Sequence, residues 1–568
     1  MMKRLTKLFS ISPFKIAVLV ILIAVTLFFV DPHFLRFMEL KSFDLRITSR
    51  GIQPPGNEVI IATIDEKSLS ELGRWPWPRT TIAGLIKKLK DQGAKAVGFD
   101  IVFAEPDENS GLKTVRELIQ DVKKSGVGKS ELSGILEERE KTADTDAIFA
   151  RSIEDVANIT LGYFFHITDK EVGHLKKEQI DAAEDRIANG RFQMIRSAKW
   201  ANDAPTIHAY AAQPNLPAIS EAAENCGYFN AFPDADGVIR WSPLVIKFRN
   251  NYYTSLALSL LVQYLEWPMV VLNIAEYGVE NVQLDKFIIP TDENGRLLIN
   301  YLGPPKTFLH YSISDILNGS VPSNRIKGKM VLVGATATGI YDMRNTPFSP
   351  VYPGVEIHAT VIDNILRQNF LIHSGWIKFI DVLIIIFTGL FVGFLLPKFR
   401  AIAGMGLIVI VIASFVIINT LIFTKYNVWL NMIYTLLTII VIYLGITIYR
   451  YVTEEREKKK IRGAFQYYLT ASVVDEILKD PSKLKLGGDK KRLSVMFSDI
   501  RGFTSISEKL APENLVQLLN EYLTAMTNIV FKHDGLLDKY IGDAIMAVFG
   551  APLDNPTMPK GPVIPQLK

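Results

Sequence analysis

Four runs of apolar residues limit what this chain can fold into more than any other feature of its sequence. The first run covers residues 14–30, and the others cover 376–396, 401–423 and 428–449. Each approaches the roughly 20 residues that a helix needs to cross the hydrocarbon core of a bilayer. The alternative is a buried helical core, but three such runs in series are unusual in a soluble domain. The sequence therefore predicts a multi-pass membrane protein with four transmembrane helices.

The first apolar run has a second possible interpretation. It follows Lys3, Arg4 and Lys7, so it also resembles a signal peptide. The small residues of a cleavage site are missing, however, and Asp31 and Pro32 follow the run directly. An uncleaved anchor is therefore the preferred interpretation.

Basic residues predict the orientation of the four helices. They are concentrated in residues 1–15, at Lys398 and Arg400 in a short loop, and in residues 450–462. Loops on the cytoplasmic side carry an excess of Lys and Arg. With four crossings all of these segments fall on that side, so residues 31–375 are predicted to lie outside.

The overall composition excludes several classes of protein. The formal net charge is only +4, and no basic cluster is interleaved with aromatic residues, so nucleic acid is not an expected partner. Cys226 is the single cysteine of the 568 residues, which excludes an internal disulfide framework and a cysteine-rich metal site.

The segment 31–375 has the pattern of an α/β domain. Apolar runs without alternation suit strands that are covered on both faces of a sheet, and helical stretches such as residues 80–93 separate them. The predicted strands lie in residues 58–65, 94–103 and 330–336. Residues 105–145 and 168–200 are charged and poor in strand formers, so they are predicted to be helical insertions or mobile loops.

Short motifs in this segment resemble the type-two CHASE sensor domain, and they occur in the order of that family. They are Asp65 and Ser68, GRWPWPR at 73–79, GFD at 98–100 with Phe103, DGVIR at 236–240, GATA at 334–337 with Asp342, TP at 346–347, and PGVEIHA at 353–359. The resemblance implies an extracytoplasmic sensor of the bacterial cytoplasmic (inner) membrane, followed by three membrane helices and a signalling output.

The sequence does not identify what such a sensor binds. Trp75 and Trp77 beside Arg79 either line a ligand pocket or form a packed, rigid turn, and the turn is favoured. Asp100 is either functional or the cap of the following turn. His358 has no second His or Cys at ligand spacing, so a structural role is preferred to metal binding.

Residues 450–485 follow the last apolar run and are charged and helical in pattern. Two interpretations stay open: a dimeric helix that transmits motion of the sensor, or a solvated juxtamembrane helix. A heptad sustained over several repeats would separate them, and this segment is too short to contain one.

Beyond this linker, two aspartates are predicted to meet. An apolar strand ends at Asp499, a helix covers residues 513–535, and two short strands flank a turn at Gly542 and Asp543. This strand, helix and hairpin bring both carboxylates to one edge of a sheet. Such a site of hard oxygen ligands suits Mg²⁺, and two ions can activate an attacking hydroxyl and stabilise the leaving oxygen in phosphoryl chemistry.

The motifs FSDIRGFT at 497–504 and LDKYIGDAIMAVFG at 537–550 closely resemble the class III adenylate/guanylate cyclase catalytic domain. The resemblance implies an α+β, ferredoxin-like fold. It also implies that Asp499, Asp543 and the backbone carbonyl of Ile500 bind two Mg²⁺ or Mn²⁺ ions. Phe503 and Thr504 would then lie along the triphosphate.

Lys539 predicts which base is bound. In this family adenylate cyclases carry a lysine at that position, which donates to adenine, whereas guanylate cyclases carry a glutamate. The implied reaction is attack of the ATP ribose 3′-hydroxyl on the α-phosphorus, which gives cyclic AMP and pyrophosphate. Each active site of the family lies between two catalytic domains, so a homodimer or a dimer with an intact cyclase is expected.

After residue 556 the sequence departs from the family. Residues 557–568 contain Pro559, Pro562 and Pro565, which do not fit the long helix expected there. The second base-reading residue and an Asn/Arg pair belong to the part that this tail replaces. A copy of low or no activity is therefore expected, either through truncation or a frame error or as a natural pseudo-enzyme.

The sequence as a whole predicts a multi-domain membrane protein with an α/β extracytoplasmic sensor, four transmembrane helices and an incomplete cyclase domain. Its predicted parts are a cytoplasmic N-terminus at 1–13, helices at 14–30, 376–396, 401–423 and 428–449, the sensor at 31–375, the linker at 450–485, the half-domain at 486–556 and the tail at 557–568. The alternative function is a non-catalytic membrane receptor or decoy that dimerises with intact cyclases. A guanylate cyclase is a weaker alternative.

Overall fold

The computed structural model describes residues 12–107, 110–125, 135–136, 138–140, 143–173, 175–198, 204–337, 339, 343–465 and 490–551. The predicted tail, Asp342 and the part of the linker from residue 466 to 485 lie outside the described residues. The chain forms two compact units, Ala17–Ile442 and a second that combines Met1–Ile16 with Tyr443–Lys568.

The α-helices and strands of the described residues are numbered here in chain order. The helices are α1 Pro13–Val30, α2 His33–Ser49, α3 Glu66–Leu72, α4 Arg79–Asp91, α5 Ser110–Ser125, α6 Thr145–Val156, α7 Asp169–Val172, α8 Lys177–Arg186, α9 Pro217–Ala222, α10 Leu256–Tyr264, α11 Ile313–Leu317, α12 Gly354–Leu366, α13 Gly375–Leu395, α14 Ala401–Tyr426, α15 Ile433–Phe465, α16 Phe503–Ser507 and α17 Pro512–Lys532. The strands are β1 Val59–Ile64, β2 Ala96–Phe99, β3 Ile159–His166, β4 Met194–Ser197, β5 Ile207–Ala209, β6 Ala211–Gln213, β7 Asn225–Tyr228, β8 Trp241–Pro243, β9 Val245–Phe248, β10 Asn251–Thr254, β11 Val270–Ala275, β12 Gly278–Leu284, β13 Phe287–Pro290, β14 Arg296–Leu298, β15 Leu309–Ser312, β16 Met330–Ala335, β17 Met343–Arg344, β18 Tyr352–Pro353, β19 Ser494–Ser498, β20 Leu536–Ile541 and β21 Ala544–Phe549.

The domain between α1 and α13, called the intervening domain below, is built on a largely parallel sheet. Its strand order is β15-β1-β16-β2-β3, with β7 parallel and β6 antiparallel beside β3. Every residue of β1 is buried, because helices cover both faces of the sheet. Ile60 contributes to one core together with α4, and Ile61 contributes to the other together with α12. The predicted α/β architecture is confirmed.

Two local expectations for the intervening domain need correction. The strand expected over 94–103 ends at Phe99. The segment 168–200 is not only helix and loop, because it contains β4, which pairs in parallel with β11. All residues of β4 are exposed, so neither face of the strand has to be apolar. Its sequence therefore lacks the alternation of apolar and polar residues that would predict a strand.

Four helices of the described residues are long and apolar enough to cross a membrane, as the apolar runs predict. They span Pro13–Val30, Gly375–Lys398, Ala401–Tyr426 and Ile433–Glu457. Helix α15 continues as one helix of 33 residues to Phe465. The first two spans approach closely, since a Cβ added at Gly389 would overlap Ile21 and one at Gly393 would overlap Ala17. Small residues four apart permit this kind of close packing between membrane helices.

Helix α2, directly after the first span, was not predicted. Its buried face contains Glu39 and Arg46 among apolar residues. The Oε2 atom of Glu39 accepts hydrogen bonds from the backbone N–H groups of Met432 and Ile433, at 2.8 and 2.9 Å. These groups lie at the start of α15, where a helix has N–H donors without partners and favours negative charge. Glu39 therefore caps the last membrane helix.

Arg46 completes the buried network around Glu39. Its guanidinium donates to Glu39 at 2.9 Å, to the side chain of Asn419 at 2.7 Å and to the backbone oxygen of Leu430 at 2.9 Å. It also lies 5.1 Å from the centre of the Phe423 ring. Burial lowers the pKa of Arg46, and the charge of Glu39 opposes that shift. The network fixes α2 against the membrane helices.

A second buried ion cluster fixes α2 against the rest of the intervening domain. Arg240 is fully buried, and its guanidinium contacts Asp44 of α2 at 2.7 Å, Asp236 at 2.7 Å and Asp234 at 2.9 Å. Lys41 of α2 also reaches Asp236, at 3.0 Å. Arg240 and Asp236 belong to the DGVIR motif, so this cluster gives that motif a structural role.

Candidate active site

The C-terminal unit contains a three-stranded antiparallel sheet in the order β19-β21-β20. Helix α17 packs on one face of it, and the shared core consists of Val530, Leu537, Ile545 and Ala547. This is the strand, helix and hairpin that the sequence predicts. The helix is amphipathic and begins with Pro512 in its first turn, which suits a proline because the first N–H groups of a helix have no partner.

The sheet brings the two predicted metal aspartates to the same edge. Ser498, the last residue of β19, pairs with Ile545 of β21. Asp499 therefore leaves the sheet beside the turn that carries Asp543. The Oδ2 atom of Asp543 accepts a hydrogen bond from the backbone N–H of Ile500 at 3.2 Å. Asp499 is exposed and Asp543 is half-buried, so both carboxylates are open to a ligand.

The loop after Asp499 carries the remaining residues predicted to face the triphosphate. Gly502 adopts a left-handed conformation with φ of 80° and begins the short helix α16. The backbone N–H of Phe503 donates to the carbonyl of Ile500 at 3.2 Å. Phe503 is half-buried and Thr504 is exposed. Because a glycine adopts a positive φ without strain, Gly502 allows the tight turn that keeps these residues next to Asp499.

Lys539 lies on the hairpin but does not contact the two aspartates. It pairs with Met546 across a β-bulge, and its side chain is 61% exposed. Its Nζ atom lies 3.4 Å from Oδ2 of the adjacent Asp538. A bulge changes the direction of the side chains that follow it. Lys539 is thus presented to solvent from the same hairpin that carries Asp543.

Two tyrosines that the sequence interpretation missed hold this edge against α17. The hydroxyl of Tyr540 lies 2.8 Å from Oγ1 of Thr527, and the hydroxyl of Tyr522 lies 3.3 Å from Oγ of Ser498. The second contact fixes the strand residue that precedes Asp499. The sequence signal for both is only a tyrosine in an amphipathic pattern, which does not distinguish a positioning contact from ordinary packing.

The donor set at this edge fits a divalent metal ion that arrives with a nucleotide. Among the described residues no group of three or more His, Cys, Asp or Glu side chains is arranged to hold a metal. Mg²⁺ is commonly bound by one or two carboxylates together with substrate phosphates and water. Asp499, Asp543 and the backbone carbonyl of Ile500 provide hard oxygen ligands of that kind, and phosphate oxygens would complete the set.

The residues singled out in the intervening domain are packed. Trp77 is buried, and its indole N–H donates to the backbone oxygen of Gly73 at 2.8 Å. Arg79 is also buried and lies 3.2 Å from Asp146. The motif therefore forms a packed turn, which was the favoured interpretation.

Asp100 and His358, which the sequence treated separately, lie together. The Nε2 atom of His358 is 3.7 Å from Oδ1 of Asp100, and the imidazole is buried. Burial, with a contribution from Arg344, lowers the pKa of His358 to about 4. This environment keeps the imidazole neutral, in agreement with a structural role.

Two protein families match the sequence. Residues 17–394 match the CHASE2 domain. Residues 488–560 match the adenylate and guanylate cyclase catalytic domain, which contains the edge with Asp499 and Asp543. Cyclase domains of this class generally use divalent metal ions and a nucleotide substrate, in agreement with the donor set.

Several curated relatives match a short part of the chain. An adenylate cyclase of Anabaena cylindrica is 48% identical over 59 residues, which cover 10% of this chain and 12% of that protein. An uncharacterized protein of Mycobacterium tuberculosis is 34% identical over 103 residues, or 18% of this chain and 19% of that protein. A second uncharacterized protein, of Mycobacterium bovis, gives the same identity and coverage. The chain thus spans less than a fifth of the length of each of these relatives.

Proposed function

The chain belongs to the CHASE2 domain family, and from that premise we propose that it is a membrane-bound, sensor-linked adenylate cyclase. The proposed reaction converts ATP to cyclic AMP and pyrophosphate. The observation that carries this proposal is the meeting of Asp499 and Asp543 at one sheet edge, where Asp543 accepts from the N–H of Ile500 at 3.2 Å. The adenylate cyclase of Anabaena cylindrica, similar over 59 residues of this chain, supports the choice of reaction.

Asp499, Asp543 and the backbone carbonyl of Ile500 are the proposed ligands of two Mg²⁺ or Mn²⁺ ions. Such ions, when bound, supply positive charge that favours ionisation of the ribose 3′-hydroxyl and stabilises the departing oxygen. The two aspartates would hold such ions in a fixed position, because Asp499 directly follows β19 and Asp543 directly precedes β21. Phe503 and Thr504, at the start of α16, contact the triphosphate.

Lys539 is the proposed base-reading residue. Its ammonium donates to a ring nitrogen of adenine, and guanine presents an N–H at the corresponding position, which a lysine cannot satisfy. The exposure of its side chain leaves it available for this contact. Guanylate cyclase activity is the weaker alternative, and it requires the base to be read by another residue.

A complete site of this class also needs residues from a second catalytic domain. We propose that this chain supplies the metal-binding and base-reading half, and that the complementary Asn and Arg come from its partner. The partner that can supply them is an intact cyclase, because the tail of this chain replaces the part that would hold the Asn and Arg. If the chain only binds such a cyclase without turnover, it acts as a receptor or decoy, which is the alternative function.

The proposed location is the bacterial inner membrane. The four apolar helices and the basic residues at Lys398 and Arg400 support an orientation with the intervening domain outside and the C-terminal unit in the cytoplasm. The four spans then act as the connection between an external sensor and an internal cyclase. Labelling of single introduced cysteines in intact cells, after Cys226 is replaced by serine, tests this orientation.

A complementation assay tests the proposed activity. The full chain in lipid nanodiscs is mixed with a soluble class III cyclase domain whose own metal aspartates have been changed to asparagine. In that mixture only Asp499 and Asp543 can bind the metal ions, so cyclic AMP formation from ATP with Mn²⁺ supports the proposal. The same mixture containing the Asp543→Asn chain is the matched control and should form none.

Other outcomes of this assay decide between the alternatives. Cyclic GMP formed from GTP in preference to cyclic AMP would contradict the role of Lys539. Binding of the soluble domain without any cyclic nucleotide would favour the receptor or decoy.

A further inference from the structure

A cavity of about 650 Å³ opens at one edge of the parallel sheet in the intervening domain. We propose that this sheet-edge cavity binds a small zwitterionic molecule, an α-amino acid, as the ligand of the sensor. The cavity volume lies within the range typical of small-molecule sites. The proposal does not depend on the cyclase reaction, because the cavity belongs to the other unit of the chain.

The position of the cavity is the first argument. Its wall contains Asp65 directly after β1, Ser312 at the end of β15 and Thr336 directly after β16. These three strands are adjacent and parallel, so their carboxyl ends meet there. Open α/β sheets bind ligands in the crevice outside the carboxyl ends of their strands.

The topology of the sheet opens a crevice at this place. The chain after β1 leads to α4, which covers one face of the sheet, whereas the chain after β16 leads to α12, which covers the other face. The connections of two neighbouring strands therefore diverge to opposite faces. Such a switch point leaves a gap between the two connections, and ligands of α/β proteins bind in that gap.

Asp65 provides a negative charge that Lys67 attracts only at a distance, without an ion pair. Its Oδ1 atom accepts from the hydroxyl of Ser312 at 2.7 Å and from the backbone N–H of Ser68 at 2.8 Å. Burial disfavours the charged form, but these hydrogen bonds outweigh it and lower the pKa of Asp65. Asp65 makes no ion pair within the described residues. A ligand ammonium group is the partner that this fixed carboxylate lacks.

Lys306 and His310 line the same cavity as Asp65. Lys306 is exposed, and its ammonium makes no ion pair within the described part of the chain. The Nδ1 atom of His310 lies 3.0 Å from the backbone oxygen of Phe308, and its Nε2 atom is buried without a hydrogen-bond partner. The buried carboxylate of Glu356 lies 3.8 Å from that Nε2 atom.

Lys306 suits the carboxylate of a ligand, because its ammonium supplies a positive charge at the cavity. His310 contributes part of the wall, since its Nε2 atom is buried and faces Glu356. The other charged residues of the wall have partners of their own, since Lys67 contacts Asp315 and Glu66 also takes part in an interaction. The anion Asp65 and the cation Lys306 in the same cavity match a molecule that carries both charges. Pro305, Met343 and Val351 line the remaining wall and would contact an apolar side chain of the ligand.

Calorimetric titration of the full chain in nanodiscs with each of the common L-amino acids tests the proposal. We expect at least one to bind with a Kd below ~1 mM, which corresponds to about 4 kcal/mol. The acid that lacks its amino group and the amine that lacks its carboxylate should each bind at least tenfold more weakly. The proposal is overturned if no amino acid binds, or if either half-molecule binds as well as the amino acid.

Two variants separate the contributions of Lys306 and Asp65. Lys306→Gln should weaken the amino acid at least tenfold and leave the amine unchanged. Asp65→Asn should weaken the amino acid and leave the deaminated acid unchanged, and asparagine retains the ability to cap α3. Lys327→Gln, at an exposed lysine just before β16, is the matched control. Equal effects of Lys306→Gln and Lys327→Gln would overturn the proposal even if Asp65→Asn does not fold.

Discussion

The buried ions of the intervening domain and the aspartates of the cyclase unit differ in their burial and in the number of their partners within the protein. Arg240 is fully buried and contacts three aspartates, and Glu39 accepts from two backbone N–H groups and from Arg46. Asp499, by contrast, is exposed, and Asp543 accepts a single hydrogen bond from Ile500 among the described contacts of its side chain.

This difference follows from the cost of burying charge. A buried ion is tolerated only when nearly all of its hydrogen-bonding capacity is satisfied within the protein. A carboxylate that has to receive a metal ion and a triphosphate must keep that capacity free. The number of internal partners therefore distinguishes the carboxylates around Arg240 and Arg46 from the two proposed metal ligands, and the following predictions test this difference.

The largest expected effect is on catalysis. Asp543→Asn removes a proposed metal ligand, so cyclic AMP formation in the complementation assay should fall by a factor of about 10³ or more. The stability of the chain should change by less than about 0.5 kcal/mol, since the side chain is only half-buried. Asp534→Asn, at an exposed aspartate just after α17, is the control and should retain activity. If Asp543→Asn lost stability but kept its activity, Asp543 would stabilise the fold and would not be a metal ligand.

Arg240→Met should produce the largest loss of stability. It leaves three aspartates of the buried cluster without their shared cation, a change that typically costs about 3–5 kcal/mol. Denaturant unfolding of the purified protein, followed by tryptophan fluorescence, measures it. Arg249→Met is the matched control, because Arg249 forms partly exposed ion pairs with Asp181 and Glu184, worth about 0–1 kcal/mol. Equal losses in both variants would show that burial does not decide the effect.

The buried His358 should make the stability of the folded chain depend on pH. Its pKa is about 4 in the folded chain and ~6.5 when unfolded, so the unfolded chain binds more protons between these values. Its contribution to stability is fully present above pH ~6.5 and is lost as the pH falls towards 4, by roughly 3 kcal/mol in total.

The measurement is the free energy of unfolding at intervals from pH 7 to pH 4. His358→Asn should reduce the slope over this range, with Asp100 and Arg344 still in place. His373 is buried as well, and its pKa is lowered to about 4, so part of the slope should remain. An unchanged slope in His358→Asn would contradict the prediction.

Glu39→Gln should have the smallest effect of the four. Glutamine keeps an oxygen for the N–H groups of Met432 and Ile433 but removes the charge that pairs with Arg46. A loss of about 1–3 kcal/mol is expected, as for other buried hydrogen bonds to a charged group. Glu280→Gln, at an exposed residue of β12, should change stability by less than about 0.5 kcal/mol. Thermal unfolding of both variants in the same nanodiscs compares them.

Much of the fold was predictable where one simple pattern dominates. The apolar runs predicted the membrane helices, and the fully buried strand β1 predicted a sheet covered on both faces. Helix α2 was not predictable in this way, because its buried face includes Glu39 and Arg46 while Phe34 and Leu45 are exposed. Burial of these ions depends on partners far along the chain, which a local pattern does not contain.

The candidate site shows the same limit. Asp499 and Asp543 were predicted to meet because a strand, a helix and a hairpin fix their positions, and the geometry agrees. The β-bulge before Lys539, its contact with Asp538 and the support from Tyr522 depend on details of strand pairing. The sheet-edge cavity depends on the order of strands that are distant in sequence, so the sequence alone did not reveal it.

The contacts of α2 also impose an order of events during synthesis. Asp44 can contact Arg240 only after 196 further residues have been synthesised, which takes about 10–40 s at a rate of 5–20 residues per second. The contact of Glu39 with Ile433 forms later still, because Ile433 is 394 residues further along the chain. Until then α2, next to the first membrane anchor, has only the ion pairs formed within the helix itself, such as Glu39 with Arg46.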